Sequence, residues 1–151
     1  MKVMTTLSGF SVTSTRTVAS PTSVENIEVV TDFVNEQLEA MECPMKAQMQ
    51  IGIAIDELFG NIAHYAYTPD VGEATVRVEV TENPLSVVIT FIDGGVPYDP
   101  LATEDPDTTL SAEERDIGGL GIFMVKKSMD EITYRYEGGK NVLSIRKRIG
   151  S

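Results

Sequence analysis

The stretch that decides the fold is IGIAIDELFGNIAHYAY, residues 51–67, because it combines the spacing of an amphipathic helix with a second row of polar residues. Its apolar positions are spaced i, i+4, i+7 and i+11, which predicts one buried helix face. These positions are Ile51, Ile55, Leu58 and Ile62. A helix of this kind needs a partner layer, so the rest of the chain must supply a sheet or further helices.

The second row of this helix is polar. Glu57 and Asn61 lie four residues apart and His64 three further on, so their side chains share one face. Gly60 lies beside them; a glycine inside a helix costs about 1 kcal/mol relative to alanine, which close packing or close approach of a ligand compensates. Taken alone, the segment is more simply interpreted as an amphipathic helix with a solvated polar face.

Composition narrows the class of function. At 151 residues, with 42% hydrophobic and 23% charged residues, the chain predicts a single soluble domain spanning residues 1–151. The net charge of −11 disfavours direct binding to nucleic acid, because an acidic surface repels phosphate backbones. No run resembles a signal peptide or reaches membrane-spanning length, which predicts a cytoplasmic protein without membrane attachment. The single Cys43 and single His64 argue against an all-protein zinc site.

The amino-terminal half reads as a strand region followed by two helices. Residues 1–19 predict an irregular or edge strand. Ser20-Pro21 predicts a helix start, with Ser as N-cap and Pro at the first helical position, and this helix ends near Cys43. Pro44 then fits the first turn of the second helix, which continues to about Tyr67.

The remainder reads as two hairpins separated by a loop and a helix. Alternation predicts strands over 74–80 and 85–93, and a second hairpin over 132–147 follows a helix over 119–129. Together these elements predict an α/β (α+β) two-layer sandwich, with a mixed, mostly antiparallel sheet and helices on one face. The acidic, proline-containing segment 94–118 predicts a mobile lid, with simple disorder as the alternative.

Three short groups in this half carry possible chemistry. Asp93 closes an apolar strand before Gly94-Gly95; its carboxylate suits an amino group and the glycines admit a flat ring, although an ordinary Asp-Gly turn is the alternative. Gly118-Gly119-Leu120-Gly121 lies where a helix begins, which suits a phosphate group or a hinge. Arg115 is the only cation between Gly94 and Val125, and either neutralises a terminal phosphate or pairs with its acidic neighbours.

The order of DELFGN, DGGVPYDP and GGLGIFMVKKSMDEITYRYEGGKNVLSIRK resembles the GHKL ATPase superfamily, and within it the anti-sigma-factor serine/threonine kinases of bacteria. The resemblance runs from about Ser20 to Arg148, nearly the whole chain. It implies a Bergerat-type ATP-binding fold, with ATP and Mg²⁺ as cofactors. It also implies a sigma factor and a STAS-domain anti-anti-sigma protein as partners, and a homodimer.

The resemblance also implies roles for individual residues. Glu57 and Asn61 match the family's E-x-x-x-N box, so Glu57 would be the general base and Asn61 would hold the Mg²⁺ that bridges the phosphates. One helical turn between them lets both face one γ-phosphate. The match for the first glycine box is Asp93, Gly95 and Pro97, with Asp93 on the adenine amino group.

The second glycine box matches Gly119 and Gly121 within Gly118-Gly119-Leu120-Gly121, whose backbone would cradle phosphates. Apart from the resemblance, the charge of Arg115 suits either the terminal phosphate when the lid closes or its acidic neighbours. Ser144 stands where relatives often carry Thr in a strand behind the adenine.

Two alternatives to a protein kinase stay open at this stage. One is a nucleotide-binding interaction module without kinase activity, against which Glu57 argues because a sensor of ATP needs no base. The other is the ATP-binding part of a histidine kinase. The chain shows no helical hairpin with an accepting histidine, and its one histidine, His64, lies inside the Glu57–Asn61 helix.

Overall fold

The computed structural model describes residues 5–7, 10–65, 72–82, 84–102 and 117–149. The strands are β1 (Thr5–Leu7), β2 (Phe10–Pro21), β3 (Glu73–Glu82), β4 (Ser86–Asp93), β5 (Glu131–Glu137) and β6 (Lys140–Arg148). The helices are α1 (Ile27–Ala40), α2 (Met45–Tyr65) and α3 (Ile117–Ser128), with short 3-10 turns at Val24–Asn26 and Pro100–Ala102.

The strands form one six-stranded sheet in the order β1-β2-β3-β4-β6-β5. Each neighbouring pair is antiparallel, so the described sheet contains no parallel pairing. Helix residues and one set of strand residues share a single core, which leaves the helices on one face of the sheet. The α+β two-layer fold expected from the sequence is confirmed.

Strand alternation decides which residues face the helices. Val76 on β3, Phe91 on β4 and Leu143 on β6 lie side by side in register and are buried in the core. Their immediate neighbours point the other way, because successive side chains of a strand alternate between faces. Thr90 and Ser144 belong to this second face, where their hydroxyl oxygens lie 2.9 Å apart and share a hydrogen bond.

Helix α2 has the predicted apolar stripe. All four predicted positions are buried, and they pack in the same cluster as Val30, Val34 and Leu38 of α1. A β-carbon added at Gly60 would meet only Ile27 Cδ1, at the ordinary contact distance of 4.0 Å. An alanine would therefore fit at position 60 without displacing α1, so the packing of α2 near the start of α1 does not require a glycine here.

The predicted helix start at Ser20-Pro21 is wrong. Ser20 pairs with Ala74 and Pro21 with Glu73, so both close strand β2. The pairing continues beyond the strand, because Thr22 N–H donates to Gly72 O and Gly72 N–H to Thr22 Oγ1. Sheet pairing overrides the local capping signal here, since a proline lacks only an N–H and is tolerated at the end of a strand.

The final hairpin is confirmed, and its turn explains two glycines. Gly138 and Gly139 have φ of 60° and 77°, a left-handed backbone conformation that glycine adopts without steric cost. This tight turn pairs Glu137 with Lys140 and Tyr136 with Asn141. Because β6 also pairs with β4, the same register puts Asn141 directly opposite Asp93.

In the part of the chain that the structure describes, no helix has both the length and the apolar character needed to cross a membrane.

Candidate functional site

An open cleft lies between the carboxyl-terminal half of α2, the end of β4 and the start of β6. Side chains from α2, three strands and the loop after β4 line it. They are Leu58, Asn61, Ile62, Asp93, Tyr98, Pro100, Tyr134, Asn141 and Leu143. The lining combines apolar walls with a few convergent polar groups, which is the usual composition of a small-molecule site.

Asp93 is the carboxylate of this cleft. It lies at the end of β4 and is 4% exposed. Gly95 N–H donates to Asp93 Oδ1 at 2.9 Å, which folds the loop after the strand back onto the side chain. This turn is the ordinary Asp-Gly turn anticipated from the sequence, yet it also holds the carboxylate at the edge of the cleft. The turn and the binding role are therefore compatible.

Asn141 is the centre of the polar groups in the cleft, and its side-chain amide makes four hydrogen bonds. Its Nδ2 donates to Asp93 Oδ1 and to Val96 O, both at 2.9 Å. Its Oδ1 accepts from Tyr98 N–H at 3.2 Å and from the Tyr134 hydroxyl. One amide thus joins β4, β5, β6 and the loop after β4.

The cleft also affects the acidity of Tyr134. Burial raises the pKa of the Tyr134 phenol, and the nearby carboxylates of Asp99 and Asp93 raise it further, whereas a hydrogen bond with the Tyr98 backbone lowers it. The phenol therefore stays protonated at neutral pH, consistent with its role as hydrogen-bond donor to Asn141.

Glu57 and Asn61 lie one turn apart on α2, but only Asn61 lines the cleft. Glu57 lies a turn earlier, beside α3. Burial raises the pKa of the Glu57 carboxyl above its ordinary value of 4.5, and the negative charge of Asp56 raises it further. A carboxylate with a raised pKa is a stronger proton acceptor when ionised, a property suited to a general base.

The start of α3 packs against Glu57. A β-carbon built on Gly121 would overlap the Glu57 carboxylate, so only glycine permits this contact. Gly121 is the fifth residue of α3, and Gly118 and Gly119 lie in its first turn. The first turn of a helix exposes unpaired backbone N–H groups, which suit an anion near Glu57 and Asn61.

The structure therefore brings most of the predicted residues to one region. Asp93 and Asn61 line the cleft, Gly95 bonds to Asp93, and Gly121 contacts Glu57. Pro97 is an exposed residue of the loop after β4. Gly118 and Gly119 lie in the backbone of α3, as does Leu120. Arg115, most of the predicted lid and the side chains of Leu120 and His64 lie outside the described residues.

Ser144 is not brought to the cleft. Its hydroxyl shares a hydrogen bond with Thr90 on the face of the sheet opposite the helices. Leu143, the preceding residue, lines the cleft instead. The physical reason is strand parity: β6 pairs Leu143 with the core residue Phe91, so Ser144 must point away.

Sequence reasoning missed Asn141, Tyr134, Leu143 and Tyr98. The tight Gly138-Gly139 turn indicates that Asn141 pairs within the hairpin, so a local signal exists for its position on β6. Its place beside Asp93 depends on the β4–β6 register, which joins residues 48 positions apart. No local pattern specifies a pairing of that range.

The fold and the site define a class of protein. A family model described as the histidine kinase-like ATPase domain matches residues 20–147, and the chain belongs to that family. The resemblance to the GHKL superfamily inferred from the three motifs is confirmed. Members of this family bind ATP, which fits a cleft whose lining includes a buried carboxylate.

Particular relatives narrow the class. The chain is 32% identical over 95 residues to the serine-protein kinase RsbW of Bacillus thuringiensis, an alignment covering 60% of this chain and 58% of the relative. It shows the same identity to serine-protein kinase RsbW of Bacillus cereus. The match thus spans a little over half the length of these curated relatives. These similarities support the predicted place among anti-sigma-factor kinases at the level of the family.

A solved structure shares the fold. The crystal structure of the RsbU and RsbW domains of Rv1364c from Mycobacterium tuberculosis superposes with a TM-score of 0.66 at 16% identity. The superposition covers 92% of this chain and 33% of that one. At this identity the likeness concerns the arrangement of the sheet and helices, and it extends over nearly all of the chain.

Proposed function

We propose that this chain is an ATP-dependent serine/threonine protein kinase of the anti-sigma-factor type, acting as one domain over residues 1–151. In this proposal it sequesters a sigma factor and phosphorylates a STAS-domain anti-anti-sigma protein, and so regulates transcription from the cytoplasm as a homodimer. Similarity to the RsbW serine-protein kinases supports the activity and the partners. The net charge of −11 supports a protein partner over direct contact with nucleic acid.

The observation that carries the proposal is the position of Glu57. It lies one helical turn from Asn61, which faces the cleft, and its carboxylate touches the start of α3 at Gly121. A module that only senses ATP has no use for a base at this point. The raised pKa of Glu57 favours proton acceptance from a hydroxyl group.

The geometry supports a direct transfer of the γ-phosphoryl group. ATP would place its adenine near Asp93 and its phosphates near Asn61 and the first turn of α3. Glu57 would take the proton of the partner's serine or threonine hydroxyl as that oxygen bonds to the γ-phosphorus. The bond from this phosphorus to the β–γ bridging oxygen then breaks, and ADP leaves. We propose that Arg115 stabilises the charge on the terminal phosphate.

Magnesium fits the residues present. Mg²⁺ takes oxygen ligands and usually keeps several waters alongside substrate phosphates, so the amide oxygen of Asn61, which lines the cleft, would be its protein ligand. When bound, it would neutralise the phosphate charge during transfer. Glu57 stands one turn away, where it remains free to act on a proton.

The proposal is tested by Glu57→Gln, which keeps the shape of the side chain and removes the base. We expect phosphorylation of a STAS-domain protein from radiolabelled ATP to fall by a factor of about 10²–10⁴, while ATP binding measured by calorimetry persists. Asp56→Asn is the matched control, because it removes an exposed carboxylate one residue away and should keep phosphotransfer at a pH above the pKa of Glu57. Equal phosphotransfer by Glu57→Gln and wild type would overturn the assignment of Glu57 as the base, and absence of phosphotransfer in wild type would overturn the kinase assignment.

One observation favours a second candidate, a nucleotide-binding regulatory module without catalysis. The start of α3 lies against the Glu57 carboxylate and covers part of the group that would have to accept the proton. A wild-type protein that binds Mg-ATP tightly, retains a sigma factor and transfers no phosphate would establish this alternative.

A further inference from the structure

We propose that Asn141 is a positioning residue that orients Asp93 and thereby makes the cleft selective for a nucleobase with an amino group. The inference rests on the proposed ATP site but concerns a residue with no assigned role in it. It assigns to one amide on β6 the choice between a 6-amino purine and a 6-oxo purine.

The orientation of the Asn141 amide follows from its neighbours. On one side lie two acceptors, Asp93 Oδ1 and Val96 O. On the other side lies the N–H of Tyr98, which only donates, together with the Tyr134 hydroxyl. An amide turned the opposite way would direct its NH₂ at an N–H and its oxygen at a carboxylate, so a single orientation satisfies all four contacts.

This orientation determines which oxygen of Asp93 is available. Oδ1 accepts from both Asn141 Nδ2 and Gly95 N–H at 2.9 Å. Among the described residues, no group donates to Oδ2. Asp93 lines the cleft and is 4% exposed, and because Oδ1 already accepts two hydrogen bonds, Oδ2 is the oxygen that we assign to the ligand. An ionised carboxylate oxygen only accepts hydrogen bonds, so it favours a ligand that presents an N–H.

Asn141 also ties the loop after β4 to the sheet. Its contacts with Val96 O and Tyr98 N–H hold both sides of Pro97, and Tyr134 on β5 holds the amide in turn. This loop supplies Tyr98 and Pro100 to the cleft wall. The same amide therefore sets the orientation of the carboxylate and the width of the cleft beside it.

The selection can be measured with ATP and ITP, which differ at the 6-position of the purine by an amino group against a carbonyl oxygen. Beside Asp93 Oδ2 the amino group donates, whereas the carbonyl leaves two acceptors face to face. A site built to bond an N–H rejects the analogue that lacks it, because its buried polar atom is then left without a partner. We expect wild type to bind ATP more tightly than ITP by a factor of about 10–100.

Asn141→Leu removes both donors of the amide while keeping a similar size. We expect ATP affinity, measured by calorimetry with Mg²⁺, to fall by a factor of about 10–100 and ITP affinity to fall less. Tyr134→Phe, a milder change, removes one donor to Asn141 Oδ1 and should reduce ATP affinity by a factor of about 2–10. Circular dichroism of each variant verifies that it is folded.

Asn141→Asp supplies a readout that a purely structural role would not produce. At pH 8 two carboxylates would face each other and ATP affinity should be low. As the pH falls toward 5.5, one shared proton restores a donor toward Asp93, and affinity should recover. The other ionisable groups that face this point are Tyr134, Tyr136, Tyr98 and Asp99. All are present in wild type, so the ratio of variant to wild-type affinity cancels their titration.

Thr133→Ala is the matched control, because it removes an exposed hydroxyl from β5 on the opposite face of the sheet. It should leave the affinities for ATP and ITP unchanged. The inference is overturned if Asn141→Leu binds ATP as wild type does, or if Asn141→Asp shows no recovery at low pH. Failure of wild type itself to bind ATP would instead refute the proposed function, so the two failures are distinguishable.

Discussion

The nucleobase end of the cleft, around Asp93 and Asn141, is held by hydrogen bonds. The transfer end, around Glu57 and Asn61, is held by packing. At the nucleobase end, the Asp93 carboxylate and the Asn141 amide make five hydrogen bonds with each other and with their surroundings. Among the described residues, neither Glu57 nor Asn61 makes a side-chain hydrogen bond. Their placement depends on helix α2 and on the contact of Glu57 with Gly121.

This difference matches two separate tasks. Selection of a nucleobase requires fixed hydrogen-bond donors and acceptors, because a movable polar group adapts to the wrong ligand. Proton transfer requires a base that meets a hydroxyl brought by another protein, and the final geometry forms only in that complex. The nucleobase end is therefore formed before the nucleotide binds, and the transfer end is completed by the partner protein.

Among the variants at the two ends, we expect the largest effect from Gly121→Ala at the transfer end. The added methyl group must displace the Glu57 carboxylate, the far end of a flexible side chain, so the cost in stability should be small. A misplacement of about 1 Å lowers catalysis by about 10²-fold, and we expect a loss of phosphotransfer of this size with ATP binding retained. Gly52→Ala is the control, because a β-carbon there meets nothing within 4 Å. Equal phosphotransfer rates for Gly121→Ala and Gly52→Ala would contradict the contact between Gly121 and Glu57.

The nucleobase end is tested by Asp93→Asn. Its oxygen can still accept from Asn141 and Gly95, so the fold should be retained, but an NH₂ group replaces Oδ2 toward the cleft. We expect ATP affinity to fall by a factor of about 10–100 and the preference to move toward ITP, whose carbonyl accepts from that NH₂ group. Calorimetry with both nucleotides measures this, and an unchanged ratio of the two affinities would contradict the assigned orientation.

The transfer end should depend on pH. Glu57 accepts a proton only when ionised, so the phosphotransfer rate should rise with pH and level off above its raised pKa. Asp56→Asn removes one cause of the rise in pKa and should move this profile to lower pH. A rate profile of Asp56→Asn that coincides with that of wild type would argue that another group controls the rate.

The same pKa affects stability, with a defined sign. Because the folded pKa lies above the ordinary 4.5, the contribution of Glu57 to stability is fully present below pH 4.5 and is lost as the pH rises through the folded pKa. Glu57→Gln should therefore raise the melting temperature relative to wild type at neutral pH, and this difference should shrink as the pH is lowered to 4.

The smallest effect on ligand binding is expected for Ser144→Ala. Its hydroxyl bonds to Thr90 on the far face, so the variant should bind ATP as wild type does. It should still lose about 1 kcal/mol of unfolding free energy, since the hydroxyl of the buried Thr90 is left without its partner. Denaturant titration gives the stability and calorimetry the affinity. A marked fall in affinity would restore Ser144 to the nucleotide site.

Local patterns predicted most of the fold. The α2 stripe and the final glycine turn were correct because both depend on residues close in the chain. The start of α1 was misplaced because pairing between β2 and β3 outweighs the capping preference of Ser20-Pro21. Motif spacing also predicted that Glu57, Asn61 and Asp93 share a region; Asn61 and Asp93 line the cleft, and Glu57 lies one helical turn from Asn61.

The errors in the site have one physical origin. Val142, Leu143 and Ile145 are all buried, so β6 shows no clear alternation and its parity cannot be read from hydrophobicity. Pairing with β4 sets that parity, which sends Leu143 to the cleft and Ser144 away from it. The importance of Asn141 depends on the same register.

The pairing of Asp93 with Asn141 has a consequence for the order of folding. Helix α2 and the β3–β4 hairpin can assemble from residues 45–93, yet the carboxylate remains unsupported until β6 docks beside β4. Contacts between distant parts of a chain form late, because the entropy of closing the loop must be overcome first. We therefore expect competence to bind nucleotide to appear with the last kinetic phase of refolding, after most helical signal has returned. Stopped-flow refolding in the presence of a fluorescent ATP analogue would reveal this delay.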